Sequence, residues 1–123
     1  MTFGLIRIKL QIYCGNEIAM GPGKADLLDA IAAAGSISAG ARLMGMSYRR
    51  AWLLVDTMNR CWAAPLVTAV PGGSPGSGAA LTALGRDVLD RYRSLQRHAG
   101  EAAGAHAWPE LETILRSSPS EAR

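Results

Sequence analysis

Two arginines stand side by side at Arg49 and Arg50, directly after Ser47 and Tyr48. A guanidinium is a planar fork of donors suited to phosphate oxygens and base edges. The same neighbourhood, residues 36–60, holds four cations (Arg42, Arg49, Arg50 and Arg60) against one acid, Asp56. That local excess equals the formal net charge of the whole chain, +3. The chemistry on offer is recognition of an anion.

Other reactive side chains offer less. His98 and His106 have no carboxylate or cysteine at zinc-ligand spacing, so they read as solvent-facing and no metal is expected. Cys14 and Cys61 match no metal or disulfide pattern and read as free thiols in a reducing compartment. Cys61 lies beside Arg60, but its neighbours Met58 and Trp62 suggest an inert, packed thiol. Asp26 and Asp29 fall early in a helical stretch and read as partners of its dipole. No serine or cysteine has a base visible in the sequence, so neither an enzyme nor a cofactor is expected. Residues 71–78, "PGGSPGSG", cannot form a regular element. They carry no Lys or Arg and could offer only backbone N–H groups to phosphates. No Gly-Lys-Ser/Thr follows, so this is not a Walker loop.

The elements that position these groups follow from periodicity. Ile6, Ile8, Leu10 and Ile12 alternate with Arg7, Lys9, Gln11 and Tyr13, as in a strand buried on one face. "EIAM" can return as a short strand after the turn at Cys14–Asn16. "KADLLDAIAAAG" is a helix stopped by Gly35. A short helix follows, capped by Ser36 or Ser38 and ending near Gly45. Ser47 caps a third, which runs to about Trp62. "LVTAV" and "AALT" make a hairpin around the glycine-rich tip. A long helix starts at Leu84 and passes His98, and "WPELETILRSS" gives one more. Small residues at Ala41, Gly45 and Ala51 would let the second and third helices cross closely. The expected fold is mainly α with a small β component. It is a winged helix-turn-helix with an N-terminal strand and a long C-terminal dimerisation helix.

"GSISAGARLMGMSYRRAWLLVDTMN", then "PLV", then a glycine-rich run ending "GAALTALG", resemble the DNA-binding domain of ModE-type molybdate-responsive transcription regulators. More broadly, they resemble the winged helix-turn-helix of LysR-type regulators. The resemblance covers roughly Lys24 to Leu95. It implies a recognition helix over residues 47–62 in the major groove, read by Ser47, Tyr48, Arg49 and Arg50. Trp52 would touch the DNA backbone or pack beneath the wing. The glycine-rich wing, with Gly72, Gly73, Ser74 and Gly76, would follow the backbone, and Ser36 and Ser38 complete the expected DNA-binding set. The domains implied are an N-terminal strand or hairpin (1–20), a DNA-binding domain (21–83), dimerisation helices (84–116) and a tail (117–123).

The expected function is a sequence-specific DNA-binding regulator acting as a homodimer, in molybdenum-related gene control. Its partners would be double-stranded DNA and a second copy of the chain. Full-length members carry C-terminal molybdate-binding domains, for which too few residues follow the long helix, so this chain is not expected to bind molybdate. The alternative is a winged-helix protein-interaction module without sequence-specific DNA binding. No apolar run approaches the roughly 20 residues of a membrane helix. No signal peptide is visible. A cytoplasmic location and no membrane partner are expected.

Overall fold

Four short strands open the chain in two antiparallel pairs. In the computed structural model, which describes residues 2–3, 6–70 and 78–122, β1 (Thr2–Phe3) pairs with β2 (Ile6–Arg7). β3 (Ile12–Cys14) pairs with β4 (Glu17–Met20), with Cys14 opposite Glu17. Three helices follow: α1 (Pro22–Ala34), α2 (Ile37–Met44) and α3 (Tyr48–Cys61). β5 (Val67–Ala69) and β6 (Ala79–Leu81) form a third antiparallel pair. α4 (Ala83–Ala105) and α5 (Trp108–Ile114) complete the order.

Local chemistry explains where the helices begin and end. Pro22 starts α1, where its missing N–H and fixed φ cost nothing. Gly35 ends that helix in the left-handed region and donates to the Ile31 carbonyl at 2.8 Å. The Ser36 hydroxyl accepts from the Ala39 N–H at 3.0 Å and caps α2. Gly45 has a φ of +66°, which a side chain would strain, and so allows the sharp turn into α3. α1 and α2 then meet at Gly40, where a Cβ would lie 2.9 Å from Ile31 Cγ1 and 3.1 Å from Ile31 N.

One core joins all of this. Leu27, Leu28 and Ile31 of α1 pack with Ala41 of α2, Ala51, Val55 and Met58 of α3, and Val88, Leu89 and Tyr92 of α4. Each large apolar side chain buried there contributes about 1.5–3 kcal/mol. Tyr92 is buried, and its hydroxyl donates to the Leu10 carbonyl at 2.6 Å. The β5–β6 pair is fastened to the helices through the Ala79 N–H, which donates to the Gly35 carbonyl at 2.9 Å.

The architecture corrects the expected one. Among the described residues the β component is three separate two-stranded sheets: the return strand at "EIAM" and the "LVTAV"–"AALT" hairpin are present, and the β1–β2 pair is additional to what the sequence suggests. The alternating run from Ile6 to Tyr13 does not form one strand. It splits into β2 and β3, with Ile8–Gln11 between them outside either ladder, and the Leu10 carbonyl there is taken by the Tyr92 hydroxyl. The tip expected to act as a wing, Gly72, Gly73, Ser74 and Gly76 included, lies outside the described residues. α5 follows α4, as "WPELETILRSS" suggests, and α4 gives Val88, Leu89 and Tyr92 to the chain's own core. The molecule is a helical domain with small antiparallel sheets, and the winged-helix assignment is withdrawn.

Candidate functional site

The cations gather where α3 begins. The Ser47 hydroxyl accepts from the Arg50 N–H at 3.1 Å, which fixes the first turn of α3. Ser47, Tyr48, Arg49 and Arg50 are all exposed there. Among the described residues, no carboxylate lies within ion-pair distance of either arginine. The helix dipole disfavours cations at this end by about 0.3–1 kcal/mol, a cost that a bound anion removes. Arg42 instead donates to the Ser38 hydroxyl at 3.2 Å, within α2. Ser36, the cap, and Ser38 both accept in these bonds, so each hydroxyl is held by its own helix as an acceptor.

Two of the clefts at this turn of α3 reach other elements of the fold. One, of about 250 Å³, lies between α3 and the β5–β6 pair, with Tyr48, Trp52, Asp56 and Thr68 among its lining residues. Trp52 lines that cleft and is half-exposed. The other, of about 190 Å³, lies where α3 passes the start of α1. Lys9, Lys24 and Arg50 all line it, with Gly21, Pro22 and Gly23. No side chain caps α1 at that end; Pro22 has no N–H, and the Ala25 N–H donates to the Gly21 carbonyl at 2.9 Å. Burial pushes the Lys24 ammonium down from its ordinary value, and Arg50 acts in the same direction. Cys61 and Glu17 oppose that shift. Three cations and an uncapped helix N-terminus around one small cleft are the chemistry of oxyanion binding.

The sequence placed Tyr48, Arg49 and Arg50 on one exposed turn, and they are there. It missed Lys9 and Lys24. Period-two alternation turns Lys9 outward, where it is exposed, but does not bring it to Lys24, which opens the "KADLL" helix. The available signal was Gly21-Pro22-Gly23-Lys24, a helix start with no capping side chain. Asn59 was missed as well. Its Oδ1 accepts from the Leu66 N–H at 2.8 Å and the Val67 N–H at 3.1 Å, and its Nδ2 donates to the Val67 carbonyl at 3.1 Å. That side chain fixes β5, and hence one wall of the larger cleft, to α3. Asp26 and Asp29 are not dipole partners, since α1 starts at Pro22 and has no acid in its first turn. Both instead accept from Arg93 Nη2, at 2.8 and 2.7 Å.

No protein-family model matches the chain. Individual relatives do. Molybdenum-pterin-binding protein MopB of Rhodobacter capsulatus is 43% identical over 102 residues, covering 83% of this chain and 36% of MopB. The molybdenum transport protein ModE of Azotobacter vinelandii is 39% identical over 92 residues, 75% of this chain and 33% of that protein. The DNA-binding transcriptional dual regulator ModE of Escherichia coli (strain K12) is 38% identical over 88 residues, 72% of this chain and 32% of that protein.

The likeness is to molybdenum proteins of the ModE and Mop kind. The chain spans about a third of the length of each of these relatives. Their names correct what the sequence suggested. The resemblance to a ModE DNA-binding domain set molybdate aside, yet MopA and MopB are molybdenum-pterin-binding proteins. The exclusion of molybdate therefore does not stand. Nor does the assignment as a DNA-binding domain and sequence-specific regulator acting as a homodimer, with double-stranded DNA and a second copy as partners. DNA binding is in the name of one of the three relatives, and there it describes a protein about three times the length of the matched stretch. None of the three is named as a LysR-type protein. Among the described residues no helix is long and apolar enough to cross a membrane.

Proposed function

We propose that this chain works in molybdenum handling, and that the cleft between α1 and α3 takes an oxyanion, with molybdate the anion that the relatives' names point to. The observation that carries this is the convergence of Lys9, Lys24 and Arg50 on the uncapped start of α1. A tetrahedral dianion would accept from the three cations and from the Gly23 and Lys24 amides, since Pro22 has no N–H and the Ala25 N–H already donates to the Gly21 carbonyl. Arg49, exposed on the same turn of α3, raises the local positive potential without lining the cleft. The role is binding rather than catalysis. A cytoplasmic setting suits a chain with two free thiols.

Equilibrium dialysis with molybdate, with sulfate as competitor, tests this. Saturable molybdate binding that falls at least tenfold in Lys24→Ala and Arg50→Ala, with sulfate a weaker ligand, supports it. A parallel arm uses mixed-sequence duplex DNA. Salt-dependent retention of the duplex, lost with Arg49→Ala and Arg50→Ala, together with no molybdate binding, would overturn the molybdate reading and make phosphodiester the anion that these cations meet.

A further inference from the structure

The edge of β5 that faces α3 has one peptide position taken and one open. The Val70 N–H donates to the Gly78 carbonyl at 3.1 Å, and the Thr82 N–H to the Leu66 carbonyl at 2.9 Å. With Thr68 opposite Ala80, the alternation of an antiparallel ladder makes Leu66, Thr68 and Val70 its hydrogen-bonded positions. Val67 and Ala69 therefore turn their N–H and C=O groups away from β6. At Val67 the Asn59 carboxamide takes both: Oδ1 accepts from the N–H and Nδ2 donates to the carbonyl, each at 3.1 Å. Among the described residues Ala69 has no such partner. It lines the cleft of about 250 Å³ between α3 and the β5–β6 pair, together with Tyr48, Trp52 and Asp56. Asp56 meets Arg60 through Oδ2, at 3.1 Å, so its Oδ1 is open among the described residues.

We propose that this cleft binds a planar two-ring heterocycle through a lactam edge, whose N–H and C=O pair with the Ala69 carbonyl and N–H as the Asn59 carboxamide pairs with Val67. A lactam and a primary carboxamide both set one donor beside one acceptor on a planar edge. The half-exposed Trp52 and Tyr48 supply aromatic faces for the rings. Asp56 Oδ1 accepts from a further ring or amino N–H. An added peptide strand fits less well, because Asn59 already fills the next pairing position on this edge. Purines and pteridines both carry such a lactam. The cleft shares no lining residue with the one between α1 and α3, so the proposal does not rest on the oxyanion reading.

Isothermal titration of the full chain with inosine, a purine lactam, and with lumazine, a pteridine lactam, tests this. Saturable binding of either is expected, and the tighter of the two identifies the ring system. The N-methylated forms that lack the lactam N–H, 1-methylinosine and 1,3-dimethyllumazine, should bind at least about tenfold more weakly than their parents. Ala69→Pro removes the edge N–H without touching a ladder bond, and should weaken binding by about tenfold with far-UV circular dichroism unchanged. Trp52→Ala, at a half-exposed position, should also weaken it by about tenfold. If Ala69→Pro unfolds, Trp52→Ala and the methylated compounds decide the question. No saturable binding of either lactam at millimolar concentration overturns the proposal. So do methylated compounds that bind as tightly as their parents, or a folded Ala69→Pro with undiminished affinity.

Discussion

Asn59→Ala should be among the most damaging single changes on α3, although the side chain is polar and only half-buried. Its Oδ1 accepts two consecutive backbone N–H groups, those of Leu66 and Val67, and both residues are buried. Alanine leaves two amides without an acceptor in a place that water reaches poorly. Each stranded amide costs about 1–3 kcal/mol, and the lost Nδ2 bond to the Val67 carbonyl adds roughly 1 kcal/mol. Local relaxation recovers part of that, so the net loss should be about 2–4 kcal/mol. In a chain of this size each kcal/mol moves the melting temperature by about 3–5 °C. Asn59→Asp separates the contributions. It keeps both acceptor bonds, loses the donor and sets a carboxylate against the Val67 carbonyl, so it should cost roughly half as much. Urea unfolding followed by far-UV circular dichroism reads both variants. If Asn59→Ala lowers stability by less than about 0.5 kcal/mol, or Asn59→Asp is the worse of the two, the latch reasoning is refuted.

Three other expectations can be checked the same way. Gly40→Ala should destabilise by about 1–2 kcal/mol, because a clash with Ile31 backbone atoms outweighs the roughly 1 kcal/mol gain in helix propensity; urea unfolding measures it. Ser47→Ala should cost about 1 kcal/mol through loss of the cap on the Arg50 N–H, with Ser47→Asp restoring most of it in the same assay. Burial raises the Tyr92 hydroxyl above its ordinary value of 10.0, with Arg93 opposing and Asp26 assisting. The folded state therefore holds the proton more tightly than the unfolded state does. Its contribution is complete below pH 10 and is lost as pH rises through the higher folded value. Melting temperature should fall more steeply above pH 10 in the native chain than in Tyr92→Phe.

Local grammar was legible in the sequence, and distant partners were not. Ser36 and Ser47 could be read as caps because a hydroxyl reaches an N–H only three residues on. Gly35 and Gly45 could be read as stops because a left-handed backbone favours glycine wherever it occurs. The exposed Tyr48-Arg49-Arg50 turn followed from the cap. Asp26 and Asp29 were misread because their partner, Arg93, is more than sixty residues away, and nothing near an aspartate announces such a contact. Period-two alternation from Ile6 to Tyr13 correctly marked which side chains turn inward. It could not show that the ladders stop at Arg7 and resume at Ile12 among the described residues, since pairing is a property of the sheet and not of the strand. The cleft of Lys9, Lys24 and Arg50 escaped for the same reason, because three separate segments each bring one cation to it.

The hydrogen bond from Tyr92 to the Leu10 carbonyl has a consequence for how the protein is born. It joins positions 82 residues apart, and the first of them leaves the ribosome early. At roughly 5–20 residues per second, Leu10 waits about 4–16 s before Tyr92 is even synthesised. Throughout that interval the apolar residues at the start of the chain lack the helix that will cover them. α1, α2 and α3 can assemble while the N-terminal segment is still unclaimed, and α4 then closes over both. A ribosome stalled before Tyr92 should therefore hold a nascent chain with folded helices and an exposed, sticky leader, the form in which a chaperone would meet this protein.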